Sequence, residues 1–165
     1  MKKKFLRGGL AAFLFTTAIG VSFALAQVAD STESKCKAIH ASLVEYPSTT
    51  QCKPEHTSCF IGVVEGNHGL RGTTYFKADS VTDPIPTSPA FRAYSGTFEY
   101  TTDKGTLVMR ESGVTSATEA AVTAHQKIVE ATGEFAGATG RFFVSGDNFV
   151  GTKVVTNITG EICMP

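Results

Sequence analysis

Three things are scarce in this sequence of 165 residues: helix-forming periodicity, any apolar run of membrane-spanning length, and an excess of basic charge. The longest apolar stretch runs from Gly9 to Phe23, short of the ~20 residues a helical span needs. It follows a basic head (Lys2, Lys3, Lys4, Arg7) and precedes Ala24-Leu25-Ala26, a small-x-small cleavage site. Residues 1–26 therefore read as a secretory signal peptide and 27–165 as one mature domain beginning at Gln27. A transmembrane anchor is the alternative. No cysteine follows the cleavage site, which argues against a lipoprotein.

Removing the leader leaves 11 basic and 15 acidic residues, a net charge of −4. Such a surface offers no footprint for nucleic acid or for stable membrane insertion. Several catalytic signatures are missing as well: there is no nucleophile elbow, no serine–histidine–acid set and no metal-binding triad. Cys52, His56 and Cys59 are closely spaced, but three ligands in a thiol-oxidising compartment make a weak zinc site. No metal and no cofactor is expected. The four cysteines, all in the mature part, read instead as two disulfides.

What is present points to an all-β chain. Val, Thr, Phe, Tyr and Gly are abundant, apolar residues alternate, and turn signals recur at short intervals. Eight strands are expected, at 37–46, 59–66, 70–78, 91–100, 106–112, 121–131, 139–147 and 152–162, with a short helical turn within 113–120. Eight consecutive antiparallel strands with short links leave two aggregation-prone edges unless the sheet closes on itself. The expected fold is thus an eight-stranded up-and-down, calycin-like barrel, with a two-sheet sandwich as the alternative. Closure makes the first and last strands neighbours, which predicts Cys36–Cys163 and Cys52–Cys59 among the three connectivities that four cysteines allow.

The stretch Ala131 to Phe143, "ATGEFAGATGRFF", threads Gly133, Gly137 and Gly140 between phenylalanines. Its spacing is wrong for a dinucleotide loop and no helix follows. "GDNFVGTK", from Gly146 to Lys153, has Thr152 before Lys153 and also enters a strand, so it is not a phosphate loop. The glycines are expected to build a tight hairpin at Gly133 and Gly137 and a strongly coiled strand at Gly140, with the phenylalanines packed on the bare backbone. Asn157-Ile158-Thr159 matches a glycosylation sequon inside an expected strand, where it carries no meaning.

Those residues support a resemblance. "ATGEFAGATGRF" resembles the Gly-Thr-Gly-x-Phe-x-Gly-Ala-x-Gly hairpin of the allene oxide cyclase-like and dirigent-like barrels, and "KGTLVMRESG" (Lys104 to Gly113) and "GEIC" (Gly160 to Cys163) are similar to strands of its bacterial members. The resemblance covers Cys59 to Cys163 and departs at Ala131, where glycine is usual, and in the extra disulfides. Members include a cyclase acting on a fatty-acid epoxide and proteins that steer the coupling of phenolic radicals. The resemblance implies an apolar or phenolic small molecule bound in the barrel without a prosthetic group, and, if the protein is an enzyme, an isomerase or cyclase.

Alternation assigns the strand faces. Leu70, Gly72, Thr74, Phe76 and Ala78 share one; Arg92, Tyr94, Gly96, Phe98 and Tyr100 another; Leu107, Met109 and Glu111 a third; Val122, Ala124, Gln126 and Ile128 a fourth. Glu111 in an apolar lumen would be a general acid or base, with Arg92 holding an oxyanion or a carboxylate. Tyr94, Phe98, Tyr100, Gln126, Phe76 and Met109 would contact the ligand. The plain alternative is a structural Glu111–Arg92 pair, and a one-residue bulge would promote Glu99, Arg110 and His125 instead. Three functions remain open: a cofactor-free cyclase, isomerase or stereocontrol protein; a non-catalytic periplasmic carrier; and a structural or surface barrel with a filled core. A periplasmic or extracellular location and association into a homo-oligomer are compatible with all three. Amino-terminal sequencing of the exported protein should read from Gln27; a chain retaining Ala24-Leu25-Ala26 would contradict the leader.

Overall fold

A computed structural model describes residues 35–150 and 152–165, for 148–150 the backbone alone. The expected leader and its expected cleavage point lie outside the described residues. Among those described, no helix is long and apolar enough to cross a membrane.

Eight strands follow one another: β1 (Lys35–Ser48), β2 (Cys59–Gly66), β3 (Arg71–Val81), β4 (Arg92–Thr102), β5 (Gly105–Ser116), β6 (Ala121–Ala131), β7 (Thr139–Val150) and β8 (Lys153–Met164). Each pairs antiparallel with the next, and β8 pairs with β1 in register from Lys35↔Met164 to Glu45↔Val154. The sheet is a closed barrel with sequential strand order, so the sandwich alternative is excluded. Several strands run longer than their alternation suggests. In particular β5 continues to Ser116, where a helical turn was expected, and a plain turn at 117–120 links it to β6.

Both expected disulfides are present, Cys36–Cys163 and Cys52–Cys59, and no free cysteine remains. Cys36 and Cys163 are direct partners across the β1–β8 seam. Disulfides of this kind belong to chains that fold in an oxidising compartment. With both its thiols consumed, the Cys52–His56–Cys59 zinc alternative lapses. His56 Nδ1 instead lies 2.5 Å from the Tyr75 hydroxyl.

The lumen is filled at one end and open at the other. At the end where β1 begins and β8 finishes, Ile39, Leu70, Leu107, Phe142 and Ile162 are buried together. The glycine-rich stretch contributes here, although not as the expected tight hairpin. Residues 132–138 form a longer link with a 3-10 turn at Gly133–Phe135, and Phe135 and Ala138 join the core. Gly133 has φ of 64°, and a β-carbon there would stand 2.3 Å from the Lys104 carbonyl oxygen of the β4–β5 hairpin. Gly140 lies equally close to β8, 2.3 Å from the Glu161 carbonyl oxygen to where its β-carbon would be. Phe142 is fully buried, but Phe143 points outward and is about half exposed.

In the chain-entropy view a disulfide stabilises through the loop it closes, and the two loops here differ greatly, with sequence separations of 127 and 7. Replacing Cys36 and Cys163 by serine should cost about 5 kcal/mol, and the same change at Cys52 and Cys59 about half that. Urea unfolding of the two variants checks the order; equal costs would mean that barrel closure does not depend on the seam disulfide.

Candidate functional site

The open end of the barrel holds a cavity of about 170 Å³. It lies where β1, β3 and β5 finish and β2, β4, β6 and β8 begin. Phe60, Phe76, Ala78, Val81, Val122 and Val154 form its apolar wall, and Glu45, Tyr94, Glu111 and Thr115 bring the polar atoms. Phe76 stands edge-on to Tyr94, with ring centroids 5.7 Å apart, and tilted to Phe60 at 6.2 Å.

Glu111 faces inward as alternation required and is only 5% exposed. The bulge feared in this region does occur, between Val108 and Met109 in the β5–β6 register, but pairing resumes at Met109↔Ile128 and runs on to Glu111↔Gln126. The extra residue, Val129, turns outward. Two polar side chains converge on the carboxyl, and a third orients one of them. The Tyr94 hydroxyl donates to Oε1 at 2.9 Å, and Gln126 Nε2 donates to Oε2 at 2.5 Å. The Tyr100 hydroxyl in turn donates to Gln126 Oε1 at 2.6 Å, orienting the amide. Room for the Tyr94 ring comes from Gly113 opposite it, where a β-carbon would lie 2.8 Å from the ring's Cζ.

Arg92 is not part of this constellation, contrary to expectation. It is exposed, and its Nη1 donates to the Thr82 carbonyl at 3.3 Å. It is the first residue of β4 and pairs with Thr115, whereas Glu111 pairs with Gly96. Four residues separate the two levels, about 13 Å along the strand, and at the rim an inward parity no longer means a place in the lumen. The structural Glu111–Arg92 pair is excluded for the same reason. Glu99, Arg110 and His125 all face outward: Glu99 pairs with Lys53, Arg110 with Asp79, and the His125 ring rests edge-on against Phe143.

The expected ligand contacts divide into two layers. Tyr94 and Phe76 line the cavity. Phe98, Tyr100, Gln126 and Met109 lie beneath it in the filled part, each at most 1% exposed. Phe98 packs against Phe76 and Tyr100, with ring centroids 5.9 and 4.7 Å apart. These four support the floor rather than the wall, because the aromatic stack leaves no open lumen at their level.

Sequence reasoning missed Glu45. It ends the inward set Ile39, Ala41, Leu43, Glu45 on β1, and the same alternation that found Glu111 would have found it. It is 8% exposed, and its Oε1 makes no hydrogen bond. Its cross-strand partner is Gly62, where a β-carbon would lie 2.9 Å from Glu45 Cγ and 2.7 Å from the hydroxyl of Thr74, another buried oxygen without a partner.

Burial, and secondarily repulsion by Glu111, pushes the Glu45 carboxyl up to about 8. Burial also raises Glu111, against the opposing pull of the hydrogen bonds from Gln126 and Tyr94. Both tyrosine hydroxyls are raised, chiefly by burial and next by the Glu111 charge. The two carboxyls are therefore unequal. Glu111 accepts hydrogen bonds on both oxygens, which favours its ionised form, whereas Glu45, with Oε1 buried and unpartnered among the described residues, holds its proton more firmly.

The fold and the site together define a closed eight-stranded β-barrel with a carboxyl-bearing cavity at one mouth. Neither a family model nor a curated protein matches the chain.

Stability should carry the mark of Glu45. Its folded value, about 8, lies above the ordinary carboxyl value of 4.5, so between those two pH values the folded state binds a proton that the unfolded chain has released. Stability falls as pH rises through this window, by a few kcal/mol, and levels off above it. Glu45→Gln should flatten that slope and leave the protein more stable than wild type at pH 8. Urea unfolding from pH 4 to 9 measures it; parallel pH profiles for the two proteins would place Glu45 in water.

Proposed function

We propose that this is an exported small-molecule-binding barrel, periplasmic or extracellular, that takes a ring-sized, largely apolar molecule into its mouth cavity and moves protons on it without a cofactor. One observation carries the reading: a small aromatic-walled cavity with two buried carboxyls of unequal hydrogen bonding. Its volume, about 170 Å³, is close to the ~150 Å³ that admits benzene in an engineered protein cavity. That size suits a single ring, such as a phenol, better than a whole fatty-acid chain. The filled lumen beneath argues against deep insertion of a long ligand.

Two carboxyls whose environments push their proton affinities apart form an acid–base pair. Glu45 carries the proton and acts as the acid. Glu111, held by Tyr94 and Gln126, acts as the base, and the Tyr94 hydroxyl orients the ligand's oxygen. Proton removal at one side of a bound ring and delivery at the other is the chemistry of an isomerase or cyclase, the class implied by the resemblance to allene oxide cyclase-like and dirigent-like barrels. The leader and the two disulfides support export.

Native mass spectrometry of protein taken from its own compartment should reveal a bound small molecule, and benzyl alcohol should bind the purified barrel and shift the resonances of Phe76 and Tyr94. With the co-purified molecule as substrate, Glu111→Gln should keep the fold and lower turnover about 100-fold or more. If Glu111 serves structure alone, the same change lowers the melting temperature and leaves binding and turnover untouched. Absence of any co-purified molecule together with no benzyl alcohol binding would overturn the site itself.

A further inference from the structure

We propose that the mouth cavity selects a ring-bearing organic cation, a protonated amine attached to a single ring, with Glu45 as its counter-ion. This rests on the reading of the cavity as a ligand site and adds the charge of the ligand.

The charges facing the cavity are all of one kind. Glu45 on β1 and Glu111 on β5 are its two ionisable acids, and Tyr94 on β4 adds a hydroxyl. The lining residues from β2, β3, β6 and β8 are wholly apolar, and β7 supplies none among the described residues. The nearby cations are directed elsewhere. Lys77 Nζ donates to the Ala78 carbonyl at 2.9 Å, Arg92 to the Thr82 carbonyl at 3.3 Å, and Arg110 pairs with Asp79. Lys153 alternates with the buried Val154 and so belongs to the outer face. Two buried carboxyls thus share one cavity, with no cation among the described residues directed at them. One of their oxygens, Glu45 Oε1, is buried and unpartnered.

A buried acid in this position is balanced either by a proton or by a cation that arrives with the ligand. An ammonium group supplies donors to the Glu45 carboxyl, which lines the cavity. The rings of Phe60, Phe76 and Tyr94 on the same wall provide faces that attract positive charge. A neutral alcohol or phenol leaves Glu45 protonated and brings no charge to pair with its carboxylate. A carboxylate ligand adds a further negative charge and is rejected. When the ammonium binds, the Glu45 O–H bond breaks, its proton passes to solvent and the carboxylate pairs with the ligand, so the net charge in the cavity is unchanged and the ligand's own N–H replaces the Glu45 O–H as the acid of the cavity. The cation and the proton compete for one oxygen. Affinity for the amine therefore rises with pH toward the value of about 8 at which Glu45 gives up its proton unaided, and then levels off.

Calorimetric titration of the disulfide-bonded protein at pH 7 with benzylamine, benzyl alcohol and benzoate tests this. Benzylamine should bind at least about tenfold more tightly than benzyl alcohol, benzoate should be the weakest, and amine binding should release protons, read as a heat that depends on the buffer's ionisation enthalpy. Glu45→Gln should bring the amine down to the affinity of the alcohol and abolish proton release, while retained benzyl alcohol binding certifies that the variant's cavity is intact. Benzyl alcohol binding as tightly as benzylamine to the wild-type protein, or amine binding without proton release, overturns the charge selection and leaves the ligand site standing. Failure of all three probes overturns the site and the inference together.

Discussion

The pairing of β1 with β8 is the constraint on which everything else depends. Eleven residue pairs in continuous register, from Lys35↔Met164 to Glu45↔Val154, join the two ends of the described chain. The seam removes both sheet edges and defines an inside. Without it Glu45, at the last pair of the seam, and Glu111, on β5, would not share a cavity. Cys36–Cys163 locks the same seam at the filled end, far along β1 from Glu45.

Closure also makes the lumen too narrow to stay empty. Phe98, Tyr100, Met109 and Phe142 occupy it almost without solvent contact, and Phe135 enters from the β6–β7 link. The filled end is ordinary hydrophobic packing. At the other end large side chains give way to glycine beside the polar groups, at Gly62 next to Glu45 and Gly113 against Tyr94. Space at the mouth is therefore a consequence of side-chain volume on particular strands. Burying two carboxyls there is costly unless something compensates. Glu111 has its compensation in Tyr94 and Gln126, and Glu45 keeps its proton. That unequal treatment is what gives the cavity a chemical direction.

Much of this was legible from alternation. The inward sets on β3, β5 and β6 follow it throughout, so Glu111 and Gln126 were found, and their hydrogen bond joins directly paired residues. Glu45 was equally legible, since Leu43 before it marks the inward face. Arg92 shows where parity stops being informative. It has the inward phase of β4, but as the first residue of that strand it stands at the rim, in water. The glycine-rich stretch shows a similar boundary. Its demand for positive φ at Gly133 and Gly137 was legible, but the link length and the burial of Phe135 depend on the β4–β5 hairpin against which it folds.

The sequence by itself determined the strand count, the two faces of most strands, barrel closure and the two disulfides. These follow from local periodicity and from the rule that paired edges and paired cysteines need neighbours. Only the tertiary structure decided that the lumen is filled at one end and hollow at the other, that Arg92 lies too far along its strand to meet Glu111, and that a second carboxyl faces the same space. Those outcomes depend on the relative heights of residues on strands distant in sequence and on the summed volume of side chains entering from all around the barrel, and no single strand's pattern records either quantity.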